Sequence, residues 1–158
     1  MAFAIKLSFH KQLFLQLIAF SWTIVACFIG FQYLREKEYK SEFLSAQLQQ
    51  YNRHLLVAIE EGKSYEEYIA THEQPFEDLR ITLITLTGAV VYDNTIPADL
   101  LGNHSNRPEI IDALHDGSGY HIGRQSESDG REYFYSATRG EKAIVRTAIP
   151  YSSILQDL

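Results

Sequence analysis

A handful of residues in this sequence have the types and spacing to handle charge. His104, Arg107 and Glu109 fall within N-H-S-N-R-P-E-I at 103–110, and Arg124, Arg146, Tyr133 and Tyr135 follow on later segments. Arginine beside a helix start, where backbone N–H groups point outward, suits an anion or carboxylate ligand. The same residues also suit a structural role, with Arg107 or Glu109 tying a loop to a strand through charge-assisted hydrogen bonds. Both uses stay open on these residues alone. Tyr92, Tyr120, Tyr133 and Tyr135 can line a pocket, although aromatic strand residues more often simply fill a core.

Catalytic patterns are missing. The sequence has no G-x-S-x-G, no H-E-x-x-H, no phosphate-binding P-loop and no Cys/His metal spacing. His115 stands beside Asp116, but one such pair makes no metal site. No catalytic residue, metal or cofactor is therefore expected in these residues. The formal charge is −6, and Lys6 and Lys11 precede the first apolar run, so the rest of the chain carries −8. An acidic chain without a basic stripe argues against nucleic acid as a partner. Cys27 is the single cysteine, which excludes a disulfide within the chain.

The elements that position these residues begin with the apolar run 13–31, L-F-L-Q-L-I-A-F-S-W-T-I-V-A-C-F-I-G-F. It contains no charge and is about as short as a membrane-spanning helix can be. Lys6, His10 and Lys11 precede it with no acid among the first thirty residues. That bias predicts a cytoplasmic N-terminus and an extracytoplasmic remainder. A cleaved signal peptide would end in an A-x-A-like site, which is absent. A lipoprotein signal ending at Cys27 would open into a polar tether, whereas Phe28, Ile29 and Phe31 follow.

Beyond the apolar run, residues 34–61 read as one long helix, without Pro or Gly between Phe31 and Glu61. Leu44, Leu48, Tyr51 and Leu55 recur at heptad spacing. Such a seam packs on its own domain or on the same helix of a second chain, and its membrane-near half is expected at a homodimer interface. Gly62 suits a helix C-cap. Ser64 with Glu67 forms a capping box opening a short helix that ends before Pro75.

From Arg80 the pattern turns to strands. Residues 81–86 and 89–92 form a hairpin around Thr87-Gly88, closed by 93–95, and Pro97 starts a turn or short helix. Asn106 is the expected N-cap of the next helix, with Pro108 in its first turn and Glu109 completing the cap. Asp116-Gly117 ends it. Residues 120–126 and 131–138 pair around Asp129-Gly130, a tight-hairpin signal. Residues 143–149 form the fifth strand, and Ser152-Ser153 cap a helix starting at Ile154.

This order resembles the extracytoplasmic PAS-like (Cache-like) sensor region of membrane-bound sensor histidine kinases, nearest to the phosphate-regulon-type subgroup. The resemblance rests on R-I-T-L-I at 80–84, T-G-A-V-V-Y-D at 87–93, the 103–110 stretch and A-L-H-D-G-S-G at 113–119. R-Q-S at 124–126, Y-F-Y-S-A at 133–137 and I-V-R-T-A-I-P at 144–150 complete it. It covers about half of the chain, and the Asn-His-x-x-Arg-Pro-Glu stretch is its most specific part. Thr87 departs from the Asp common before that Gly. The phospho-accepting His motif and the ATP-binding domain lie outside these residues.

The resemblance implies an α+β fold, a PAS-like five-stranded antiparallel sheet packed on a long N-terminal helix after one transmembrane helix. The expected division is cytoplasmic 1–12, transmembrane 13–33, long helix 34–61, sensor domain 62–150 and, at 151–158, a helix leading toward a second span. It implies a sensing module in the inner membrane with its domain in the periplasm, controlling kinase domains beyond this chain. Its implied partners are the lipid bilayer, a second copy, and a small anion or a membrane protein. The alternatives are a single-span binding protein without a kinase, or the sensor of a chemoreceptor or cyclic-dinucleotide enzyme.

Overall fold

The computed structural model describes residues 8–126 and 129–156. Expectations placed on 1–7, including Lys6, and on Asp157 and Leu158 lie outside the described residues. The chain divides into two units, Met1–Ser41 and Glu42–Leu158.

The first unit holds the apolar part of α1, a helix spanning Phe9–Glu60. One 18-residue window of α1 reaches a mean hydropathy of 2.1 with none of it buried. Phe14, Leu17, Phe20, Trp22, Phe28 and Ile29 are all exposed. The helix is apolar on all sides in this part. Within it, Thr23 Oγ1 donates to the Ala19 carbonyl at 2.8 Å. The helix is long and apolar enough to cross a membrane.

The second unit is α+β. After α1 come α2 (Tyr65–Thr71), β1 (Arg80–Thr85), β2 (Val90–Asp93), a single 3₁₀ turn (Ala98–Leu100) and α3 (Pro108–Asp116). Strands β3 (Ser118–Gln125), β4 (Glu132–Arg139) and β5 (Ala143–Pro150) follow, then α4 (Tyr151–Gln156). The sheet order is β2-β1-β5-β4-β3 with every pairing antiparallel. The last strand thus lies at the centre, and both its faces are covered.

Alternation assigns those faces. Ile81, Leu83, Phe134, Val145 and Ile149 meet Leu44, Leu48, Leu55 and Leu56 of α1. Leu48 and Leu55 are fully buried, and each contributes roughly 1.5–3 kcal/mol. Asn52 ties the same helix to β4, its Nδ2 donating to the Ser136 carbonyl and to Thr138 Oγ1 at 3.3 Å each. On the opposite face, Ile110 and Ala113 of α3 cover Ile84, Ala137 and Ile144. Leu44, Leu48, Tyr51 and Leu55 are therefore all turned onto the chain's own core, where their side chains are closed to a second copy.

Local signals hold with three corrections. Ser64 caps α2 by accepting from the Glu67 N–H at 3.4 Å, and Gly117 closes α3 at φ 87°. The N-cap of α3 is Arg107, not Asn106, and it makes no side-chain cap bond. The cause is Pro108, which keeps the preceding residue extended, here φ −78° and ψ 134°. The β3–β4 connection is wider than a two-residue turn. The Ser126 N–H bonds the Arg131 carbonyl across it, and Glu127 and Ser128 lie outside the described residues. Finally, α4 starts at Tyr151, directly after β5. Ser153 is then inside the helix, and its hydroxyl donates to Asp78 at 3.5 Å instead of capping.

Candidate functional site

The face of the sheet that carries α3 has two halves. One is the apolar patch beneath α3. The other is polar because the same strand parity places Arg80 and Thr82 on β1, Arg146 on β5 and Tyr135 on β4 there. The chain between β2 and α3 roofs this second half, leaving a cavity of about 220 Å³. Its walls include Arg80, Arg107, Arg124 and Arg146, with His104 and the Tyr135 ring. Leu100, Leu101, Gly102 and Ser126 complete the lining. Among the described residues, no carboxylate reaches the cavity wall.

Two acids stand behind the arginines. Arg80 Nε donates to both oxygens of Asp93, at 2.9 and 3.2 Å. Asp93 also accepts from Thr82 Oγ1 and from the N–H groups of Thr95 and Ile96, which fixes the end of the hairpin. Glu109 is fully buried, and its Oε1 accepts from Arg124 Nη2 at 2.7 Å and from Arg146 Nη1 at 3.5 Å. The start of α3 is thus bolted to β3 and β5, the structural use expected of Glu109. Its other oxygen, Oε2, has no hydrogen-bond partner among the described residues, and neither has Arg146 Nε or His104 Nδ1.

The Tyr135 ring lies between two guanidinium groups. Arg124 Cζ is 4.4 Å and Arg146 Cζ 5.0 Å from its centroid, both within cation–π range. Burial pulls the Arg146 pKa down to about 10, opposed mainly by Glu109, so the side chain remains a cation at neutral pH. Burial, followed by the charges of Arg146 and Arg107, pushes His104 down to about 4. Its imidazole is neutral and offers one donor and one acceptor nitrogen.

His104 is held by the β1–β2 turn. Its N–H donates to the Gly88 carbonyl at 2.8 Å, and Asn103 Nδ2 donates to the Thr87 carbonyl at 3.0 Å. Gly88 sits at φ 89°, and a Cβ there would fall 2.5 Å from Asn103 Oδ1 and 2.6 Å from Ser105 N. Only glycine lets the turn and the loop approach so closely.

The structure therefore gathers His104, Arg107, Arg124, Arg146 and Tyr135 around one cavity, with Glu109 behind them. Tyr133 lies outside the lining. Its hydroxyl donates to Asp129 at 2.6 Å and its ring packs on Tyr135. Tyr92 packs against Tyr65, and Tyr120 stacks on Phe134. Sequence reasoning missed Arg80 as a wall residue. Its signal was parity, since it shares a face with Thr82, which pairs with Arg146. A wider groove of about 620 Å³ passes along β3, but it is lined by Asp112 and Asp116 and by no Lys or Arg. His115 pairs with Asp116 at the exposed end of α3, and no cluster of three metal-ligating residues occurs among the described residues.

No family model and no curated protein matches the chain. Among solved structures, it is similar to the extracellular domain of a candidate histidine kinase, rpHK1S-Z16. The similarity has a TM-score of 0.44 and 18% identity, covering 60% of this chain. The aligned part spans 39% of that structure's chain.

Proposed function

We propose that this chain is the membrane-anchored extracytoplasmic sensing module of a two-component sensor histidine kinase, with a PAS-like domain. The observation that carries the reading is a cavity walled by four arginines, Arg80 and Arg146 among them buried, on a sheet whose packing helix α1 also includes the apolar span. A cavity of that kind is a place where a ligand can bias one arrangement of the fold over another. The resemblance of residues 80–150 to sensor regions supports the kinase assignment, and the cationic flank before the apolar run supports a domain outside the cytoplasm. In this reading the residues of this chain sense and do not catalyse. The kinase chemistry belongs to domains beyond it.

The module works as a homodimer in this reading. With Leu44, Leu48, Tyr51 and Leu55 committed to the core, the pairing face of α1 is the outward one. Phe43, Gln47, Gln50, His54 and Val57 are exposed there, again at heptad spacing.

Two experiments test the proposal. A phosphatase that is active only outside the cytoplasm, fused after Ser126, is expected to be active, and activity of a cytoplasm-only reporter at that point contradicts the orientation. The full-length gene product in membranes, given labelled ATP, is expected to form an acid-labile phosphohistidine. Absence of label contradicts the kinase reading and leaves the single-span binding protein without a kinase, or the sensor of a chemoreceptor or cyclic-dinucleotide enzyme.

A further inference from the structure

The two edges of the sheet differ. At one edge β2 is only four residues long, and a short edge strand guards against unwanted pairing. At the other, β3 runs eight residues, S-G-Y-H-I-G-R-Q, with neither Lys nor Pro. No further strand lies beyond it among the described residues. The Arg139 N–H donates to the Gly117 carbonyl at 2.9 Å, and Ser118, Gly119 and Tyr120 stand opposite Thr138, Ala137 and Ser136. In an antiparallel ladder this places Gly119 in a bonded pair and turns the N–H and C=O of Ser118 and Tyr120 away from β4. The bulge between His121 and Arg124 ends the regular stretch.

The groove of about 620 Å³ follows this open edge. A Cβ on Gly119 would fall 2.5 Å from Asp112 Cβ and 2.7 Å from the Glu109 carbonyl, so glycine is what lets α3 descend onto the strand. That approach sets the exposed Asp112 and Asp116 along the groove on the α3 face. On the α1 face Tyr120 stacks on Phe134, its own ring still exposed, and Ile122 is exposed beside it. Acid thus lies on one side of the open edge and aromatic surface on the other. A second copy of β3 fits this edge badly. Antiparallel pairing would put both α3 helices on one face of the joined sheet and bring Asp112 and Asp116 of the two copies together, like charge against like.

We propose that β3 takes up an extended segment of a partner protein as a sixth strand, with Lys or Arg side chains toward Asp112 and Asp116 and apolar side chains beside Tyr120. The main chain of the segment bonds the outward groups of Ser118 and Tyr120, which supplies affinity, and its alternation of basic and apolar residues matches the two faces, which supplies specificity. The surface is separate from the arginine-walled cavity, and the proposal goes beyond the sensing reading.

The test is calorimetric titration of the purified chain, residues 1–158 in a non-ionic detergent, with a capped peptide of alternating Lys and Val matched to β3 in length. The same peptide with Glu for Lys, and the Lys peptide N-methylated at every residue, serve as comparison probes. The Lys peptide is expected to bind saturably and about tenfold or more tighter than either. The N-methylated peptide keeps the charge and side chains but has no N–H to donate, so it isolates the ladder. Asp112 and Asp116 are exposed, so the double variant Asp112→Lys, Asp116→Lys should keep the melting temperature and reverse the preference toward the Glu peptide. If that variant fails to fold, the N-methylated peptide decides. No binding of the Lys peptide up to about 1 mM, equal binding of its N-methylated form, or an unchanged preference in the folded double variant would each overturn the proposal. So would Tyr120→Cys, in a chain with Cys27 replaced by Ser, if it crosslinks two copies in membranes, because a second copy would then hold the edge.

Discussion

Arg124 and Arg146 converge on one oxygen of Glu109, Oε1, at 2.7 and 3.5 Å. Two strands and the first turn of α3 are joined at that atom. Removing one partner of a buried ion pair usually costs several kcal/mol because the other charge stays buried. Glu109→Gln keeps the shape but leaves Arg146 without its main compensating charge. It should destabilise the domain by about 3 kcal/mol and lower its melting temperature by roughly 10 °C. Thermal unfolding followed by circular dichroism reads this directly, and a shift of a degree or less would show that the arginines are balanced elsewhere.

Gly88 sets the position of the His104 loop. Alanine there meets both the left-handed backbone at φ 89° and the contact with Asn103 and Ser105. The expected cost is about 2 kcal/mol or more. Amide exchange should show lost protection at His104, whose N–H bonds the Gly88 carbonyl, before protection is lost in β4 and β5. Unchanged exchange at His104 would contradict the arrangement.

Acid should weaken the ligand-free domain through His104. Its folded pKa of about 4 lies below the ordinary unfolded value of about 6.5. Between those values the unfolded chain binds a proton that the folded one refuses, so stability falls as pH drops from 6.5 to 4. The loss approaches ~3 kcal/mol. His104→Asn removes this contribution, so its denaturation midpoint should vary less over that window than that of the unsubstituted chain. Parallel pH profiles would exclude His104 as the source.

Disulfide trapping separates the two faces of α1. With Cys27 replaced by Ser, cysteines at Phe43, Gln47, Gln50 and His54 should crosslink two copies in membranes. Cysteines at Leu48 and Leu55 should not, because those positions are fully buried against the sheet. Crosslinks strongest at Leu48 or Leu55 would mean that the helix leaves its own core to pair.

The strands, their succession along the chain and the apolar run were legible because each depends on local periodicity and turn chemistry, whereas the sheet order β2-β1-β5-β4-β3 rests on the long-range pairing of β1 with β5. Gly62, Ser64, Gly88 and Gly117 sit where their backbone demands place them. The heptad seam was legible as a seam but not as to its partner, since Leu48 facing a sheet and Leu48 facing a second helix have the same spacing. Arg124 and Arg146 stood out as charges within strand patterns. Arg80 did not, because at the first position of β1 it reads as a boundary residue. The pairing that sets it on the face of Arg146 joins positions far apart in sequence. Asn106 was misread as a cap because N-cap preference was weighed above the restriction that Pro108 imposes on Arg107. The roof formed by Leu100, Leu101 and Gly102 follows a loop path that no periodicity encodes.

The most direct measurement of the sensing account uses the full-length gene product in sealed proteoliposomes, with ATP confined to the side of the N-terminus. Of acetate, succinate and inorganic phosphate, whichever binds the purified chain most tightly is then added to one side at a time. Addition to the side opposite ATP should change the phosphohistidine level, and Arg124→Gln should abolish that change. A response only when the anion and ATP share a side, or an equal response from Arg124→Gln, would contradict an extracytoplasmic sensor that reads its ligand in the arginine-walled cavity.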